Sequence, residues 1–399
     1  MSAVYLYDDA RARAFQPFAL TRPMGEMRAG ALLVRERWAR ALGAPVAGHV
    51  TSPVLAGFIE PGSAPVLDRP SMPAGSWLVN ARFAPSLAHS PRGDVLEADG
   101  RVVAVRLAED TNGDVSDGAA DLEVAAARRD RAPADGWWMD NVWDYVRQLA
   151  PMLEADIPAL GISLRAGVPK GSFGVGKHPV FVADGAMVEP SVLFDTTDGP
   201  ILLCAGSRVQ AFTRLCGPLY VGERSILTTD RISGSSIGDT CKVHGELSGT
   251  IMIGHANKGH DGFVGHSMMG RWVNLGAGTI TSNLKNTYGP VHLWTPAGER
   301  DTGMQFLGTF FGDHAKTAIG TRLTTGCVLG AGANVFGSAM MPKVVAPFAW
   351  GETDHFELYR VDKFIEAAER MMARRDVTLD DSMRTMLERA YDARWSVES

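Results

Sequence analysis

Cysteine is scarce in this chain. Cys204, Cys216, Cys241 and Cys327 are the only four in 399 residues, and no two form a CxxC pair. That spacing excludes a thiolate zinc site and a disulfide framework, and predicts reduced thiols in a cytosolic core. Long apolar runs are missing too. None approaches the roughly 18 residues that a transmembrane helix needs. The start, MSAVYLYDDARARAF, lacks a basic segment followed by an apolar one, so a cytoplasmic rather than secreted protein is expected. Positive charge is not in excess: 39 Lys and Arg stand against 45 Asp and Glu, a formal charge of −6. This leaves no basic footprint for nucleic acid or an anionic membrane.

What is present is glycine, 44 residues of it, in a chain that is 45% apolar. The length predicts two or three domains. Residues 4–7 read as a strand ending at Asp8-Asp9, and residues 28–42 as an amphipathic helix stopped by Gly43. Residues 77–80 read as a further strand, and 95–107 as a hairpin turning at Asp99-Gly100. This mixture predicts an α/β domain over residues 1–138. Val142, Trp143, Val146, Leu149 and Leu153 make one helical stripe, which opens a connecting helix and linker over 139–177.

From Val182 the pattern changes. Val182, Val188 and Phe194 are six residues apart, and the same step returns at Leu203, Val209, Leu215, Val221 and Leu227. An α-helix would scatter that period around every face. Hexapeptide repeats building a parallel β-helix account for it. Val182, Val188, Val209, Val221 and Leu275 are expected to point inward. The step breaks across 230–236, and residues 288–302 read as an inserted loop or hairpin. Residues 178–350 are assigned to the β-helix and 351–399 to a helical cap over its open end, with helices at 354–375 and 379–394.

The run at 253–283, IGHANKGHDGFVGHSMMGRWVNLGAGTITSN, sets histidines and amides between the Gly-broken strands. Together with LYDD, FALTRPMGEMRAG, SNLKNTYG and FAWG, it resembles the bacterial sugar nucleotidyltransferases. That set is similar to, and shorter than, the bifunctional N-acetylglucosamine-1-phosphate uridyltransferase/glucosamine-1-phosphate acetyltransferases. The resemblance implies an N-terminal nucleotidyltransferase-like α/β domain, reduced in size, and a left-handed β-helix carrying acyltransferase chemistry. It also implies a homotrimer acting on small sugar phosphates and nucleotides.

By the same resemblance, His260 falls on the general base for acetyl transfer from acetyl-CoA, a role suited to a group that titrates near neutral pH. Asn274 and Asn283 match polar site residues, with Asn283 expected to steady the intermediate. Ala277 matches a main-chain contact to the acyl group, and Lys258 and Lys285 are candidates for phosphate. Phe263 stands where the family has a Tyr. His255 and His266 are read as structural, and the missing HxxxH spacing argues against a metal there. In the first domain the family's Gly-rich phosphate loop is replaced by LYDDARARAF, and its metal-binding Asp by Asn80-Ala81-Arg82. Arg22, Arg28 and Asp9 are the candidates beside a nucleoside triphosphate, with Mg²⁺ as its companion. Arg22 and Arg28 serve equally well as salt-bridge partners of Glu26, Asp8 or Asp9. The rival to an enzyme is a non-catalytic sugar-nucleotide sensor or scaffold.

Overall fold

The structure is a computed structural model that describes residues 2–67, 71–112, 122–353 and 355–396. The chain divides into two compact units, Met1–Asp144 with Leu379–Ala393, and Tyr145–Thr378 with Arg394–Ser399.

The first unit is built on a six-stranded sheet. Val4–Tyr7 lies one strand in from its edge, parallel to the edge strand Val46–Val50 on one side and to Trp77–Asn80 on the other. All four residues of Val4–Tyr7 and of Trp77–Asn80 are buried. That explains why they read as short apolar runs rather than as alternating strands. Val95–Ala98 and Arg101–Arg106 form the expected hairpin, with Asp99 and Gly100 at φ 51° and 70° in its turn. The helix expected over 28–42 is shorter. Arg28–Ala29 and Leu32–Leu33 pair as a small hairpin around Gly30 (φ 59°), and the helix proper is Val34–Leu42. The final helix, Asp381–Asp392, begins at Asp380, whose carboxylate accepts from the Met383 N–H at 2.8 Å. It clusters with this first unit. The two terminal helices, expected as one cap, therefore divide between the units.

The second unit is a parallel β-solenoid with three faces. Strands from Phe173–Gly176 to Val264–Gly265 make a six-stranded first face, and those from Val180–Val182 to Val344–Val345 a nine-stranded second. Those from Met187–Val188 to His355–Leu358 make a ten-stranded third. One turn of 18 residues separates Ile201 from its partner Leu219, as three six-residue steps require. Ser236 and Ile251 are only 15 apart, and this shortened coil follows directly on the break in sequence spacing. Met268 and Phe310 are 42 apart, because the hairpin His292–Thr295/Gly298–Asp301 is inserted between them. Val209, Val221 and Leu275 lie in the apolar core of the coil, while Val182 and Val188, in its opening turns, pack against it half-buried.

Residues 354–375 are not one helix. His355–Leu358 returns as an antiparallel strand on Ala349–Glu352, and the helix is Val361–Ala373; Asp354 lies outside the described residues. That helix buries Phe364, Ile365, Ala368 and Met372. Phe364 packs edge-on against His314 and Phe348 at one corner of the coil.

Candidate functional site

Chemistry-bearing side chains gather in two places, one in each unit. In the first unit the parallel strands end together, so Asp8, Asp9, Thr51 and Asn80 emerge at one sheet edge, where open α/β sheets bind ligands. Asp8 is buried. Its oxygens accept from the Met24 N–H at 3.1 and 3.2 Å and from the Thr51 hydroxyl at 2.5 Å. Burial pushes its pKa from 3.8 up to about 6, although both hydrogen bonds pull the other way. Burial also opposes ionisation of Asp9, but there the Arg82 guanidinium prevails and holds the pKa below its ordinary value. Arg82 donates to Asp9 at 2.6 to 2.9 Å and continues to Asp140 at 3.0 Å.

The two arginines named from sequence both face inward. Arg22 is wholly buried and forms a two-pronged pair with Glu60, at 2.9 and 3.1 Å. Glu60 is a partner that the sequence did not suggest, and Arg22 also donates to the Glu26 main-chain carbonyl at 3.4 Å. Arg28 is buried too, and donates to the Ala31 carbonyl. The Asp8 and Asp9 oxygens are engaged with donors of the protein itself. Among the described residues, no group of three His, Cys, Asp or Glu side chains gathers as metal ligands. In this arrangement the residues do not fit Mg²⁺.

In the solenoid, His260 follows the third-face strand Asn257–Lys258 and precedes the first-face strand Val264–Gly265. It therefore sits at the corner between those faces, with its ring exposed. It opens onto a cavity of about 410 Å³ that also includes Lys242, Asn257, Asn274, Arg374 and Arg375. Register places Lys242, Asn257 and Asn274 on successive rungs of the third face. The Asn257 side-chain N–H₂ donates to Asn274 Oδ1 at 2.7 Å. Lys258 is buried beneath the corner, and its Nζ donates to the carbonyls of His244 and His260 at 2.7 and 2.6 Å. Burial lowers its pKa to about 8, against the pull of Asp261 and Asp230. Lys258 therefore holds the His260 turn in place.

The other sequence candidates lie elsewhere. Asn283 donates from its side-chain amide to His266 Nδ1 at 2.8 Å, at the corner between the first and second faces. Gly265 lies beside them. A Cβ there would fall 2.3 Å from the Phe263 ring and 2.7 Å from the Asn283 amide. His266 is half-buried, which lowers its pKa, and its ring stacks on Phe306 at 5.4 Å. Ala277 is half-buried, and its carbonyl accepts from Gly320 at 2.7 Å. Lys285 is half-buried just beyond the first-face extension at Ile280–Thr281. The structure thus joins His260 to Asn274 and Asn283 to His266. Sequence reasoning missed Arg374 and Arg375, which reach the cavity from a helix about 115 residues downstream of His260. Their only signal in the sequence was a pair of arginines ending an amphipathic stripe.

Residues 4–162 match the sugar nucleotidyl transferase family. The bifunctional protein GlmU of Methanococcus vannielii is 28% identical over 150 residues, covering 37% of this chain and 32% of that protein. A bifunctional sugar-1-phosphate nucleotidylyltransferase/acetyltransferase of Sulfurisphaera tokodaii is 26% identical over 126 residues, 32% of this chain and 29% of that protein. Each match therefore spans about a third of the curated relative's length. Among solved structures, a mutant N-acyltransferase from Bacillus cereus in complex with dTDP and coenzyme A is 13% identical, with a TM-score of 0.22. It covers 51% of this chain and 91% of that one. The Arabidopsis UDP-N-acetylglucosamine acyltransferase is 11% identical with a TM-score of 0.24, covering 53% and 80%. Likenesses that low carry no argument about this chain. Residues 4–162 match the sugar nucleotidyl transferases, and the chain is similar to the bifunctional nucleotidyltransferase/acetyltransferases.

Proposed function

We propose that this chain is a transferase of sugar-nucleotide metabolism whose solenoid moves an acetyl group from acetyl-CoA to an amino sugar phosphate, with His260 as general base. One observation carries the reading. His260 opens onto a cavity whose charged lining, among the described residues, is Lys242, Arg374 and Arg375, with no carboxylate. Such a site attracts phosphate-bearing ligands and holds them beside a proton acceptor.

The chemistry follows from those groups. The His260 imidazole takes a proton from the attacking amine as nitrogen bonds to the thioester carbon. The carbon–sulfur bond then breaks, and the thiolate leaves with its electron pair and takes up the proton that His260 accepted. The carbonyl oxygen carries negative charge in between. Asn257 engages Asn274 Oδ1, which turns the Asn274 N–H₂ outward as a donor for that oxyanion. Asn274 thereby takes the role expected of Asn283, which is held by His266 at the next corner.

A second reading applies to the first unit: it binds a sugar nucleotide without transferring the nucleotidyl group. What favours it is that Arg22 and Arg82 are already neutralised by Glu60, Asp9 and Asp140. Calorimetry with UTP, with and without Mg²⁺, followed by a pyrophosphate-release assay, separates binding from transfer. The assembly proposed is a cytoplasmic homotrimer; light scattering should return about three times 42.8 kDa. No helix of the described residues is long and apolar enough to cross a membrane.

The acyl-transfer reading is tested by following free thiol from acetyl-CoA across a panel of amino sugar phosphates. Release that depends on one acceptor supports it. Release with none of them contradicts it.

A further inference from the structure

A lysine occupies a core position of the solenoid. Val209, Leu227 and Val243 follow one another on successive rungs of the third face and point into the coil, and Lys258 takes the next rung. Leu275 comes after it, by the register of Asn257 with Asn274. The repeat calls for an aliphatic residue there, and a buried ammonium is costly. A local rule broken at a single rung marks a functional or strained site.

The side chain leaves the core at the corner that carries His260. Its Nζ donates to the His244 carbonyl in the preceding coil at 2.7 Å and to the His260 carbonyl at 2.6 Å, so one charged group joins two coils. The corner is kept bare for it. Gly245 stands at φ 82°, and a Cβ there would fall 2.7 Å from Nζ and 3.0 Å from the His260 carbonyl oxygen. The charged groups around this corner are Asp261 and Asp230, which favour the ammonium, and Glu246, which pairs with Arg231 at 3.5 Å. The His244 ring meets Asp230 at 3.4 Å. Among the described residues none of these carboxylates forms an ion pair with Lys258.

We propose that Lys258 is a positioning residue for His260: its ammonium, reaching out of the core, ties the turn that bears the imidazole to the preceding coil. The effect on rate rests on the acyl-transfer reading, whereas the tie itself is measured without substrate. The tie depends on a proton. Deprotonation turns two charge-assisted bonds into neutral ones about half as strong. Burial brings that loss down from 10.5 to about 8, so the rate should fall above about pH 8. Unfolding does not account for such a fall. The unfolded chain holds this proton more tightly, so between about pH 8 and 10.5 this group makes the fold more stable as pH rises.

The test uses Lys258→Met, whose thioether suits a rung between Val243 and Leu275. Removing a buried charge should leave the urea midpoint equal or higher. The same change should lower kcat about tenfold to a hundredfold with little change in KM, and abolish the fall above pH 8. In a His260→Ala background it should alter kcat less than about twofold, because Lys258 acts through His260. Native kcat in Lys258→Met, or an equal loss in both backgrounds, overturns the proposal. A measurement on the full chain without substrate stands beside these. In histidine-labelled protein the His260 ring signal, assigned with His260→Ala, should carry an inflection near pH 8 that Lys258→Met removes. A native ring signal without that inflection, or one that keeps it in Lys258→Met, overturns the proposal whether or not any acceptor is acetylated. The inflection without thiol release from any acceptor supports the tie and contradicts the acyl-transfer reading alone.

Discussion

Arg22 in the first unit and Arg374 in the solenoid are both arginines beside a candidate ligand site, yet they are deployed differently. Arg22 is wholly buried and clamps Glu60 through two hydrogen bonds. Arg374 is exposed and lines a cavity with Lys242 and Arg375, with no carboxylate among the described lining residues. Arg82 follows the pattern of Arg22, bound to Asp9 and Asp140. A cation already neutralised inside the protein holds the fold, and moving it to a ligand would strand a buried carboxylate. A cation left without an acidic neighbour contributes little to folding and keeps its charge for a ligand. By that criterion the phosphate we propose belongs in the solenoid cavity, whereas the arginines Arg22 and Arg82 of the first unit are engaged within it.

The largest effect expected from this contrast is on stability. Arg22→Ala removes the two-pronged partner of a buried carboxylate, Glu60, which should cost about 3–5 kcal/mol in urea unfolding. Arg374→Ala should change stability by no more than about 0.5 kcal/mol. If the two variants unfold at similar urea concentrations, the contrast fails.

Next in size is a pH effect confined to the first unit. The folded pKa of Asp8 is raised, so the native state holds that proton more tightly than the unfolded chain does. Its contribution is complete below about pH 3.8 and disappears as pH rises through about 6. A shift of about two units corresponds to about 3 kcal/mol at most. Asp8→Asn should remove this part of the pH dependence between pH 4 and 7. An unchanged stability–pH curve in Asp8→Asn would show that Asp8 is ionised in the folded protein.

A smaller effect should appear in ligand binding. Arg374→Ala and Arg375→Ala should each weaken binding of the phosphate-bearing substrate by about 1.5–3 kcal/mol, read as a rise in KM with little change in kcat. High salt should shrink the difference. Loss of kcat without a rise in KM would mean that these arginines do not hold substrate.

The same contrast explains what the sequence disclosed. The solenoid was legible because each coil repeats one local rule, an aliphatic residue inward at a six-residue step. Even its exceptions, the short coil after Ser236 and the inserted hairpin at His292–Asp301, interrupted the step visibly. His260 was legible because its neighbours NKGHDGFVG are contiguous. Partners brought together by the fold were not. Glu60 lies 38 residues from Arg22, and nothing local distinguishes it from Glu26 as a partner. Asn283 was placed with His260 by motif, whereas coil geometry sets it beside His266. Residues 28–33 read as the first turn of a helix, because Ala31 and Leu32 fit its apolar stripe. Gly30, at φ 59°, instead turns a hairpin there.

The central claim is that His260 performs proton transfer in a phosphate-collecting cavity of the solenoid. The most direct test compares single-turnover thiol release from acetyl-CoA by the native chain, His260→Ala and His266→Ala, using an amino sugar phosphate that the native chain acetylates. His260→Ala should slow the reaction about 10²–10⁴-fold with substrate affinity nearly intact, and His266→Ala should cost far less. Native-like turnover in His260→Ala would contradict the account.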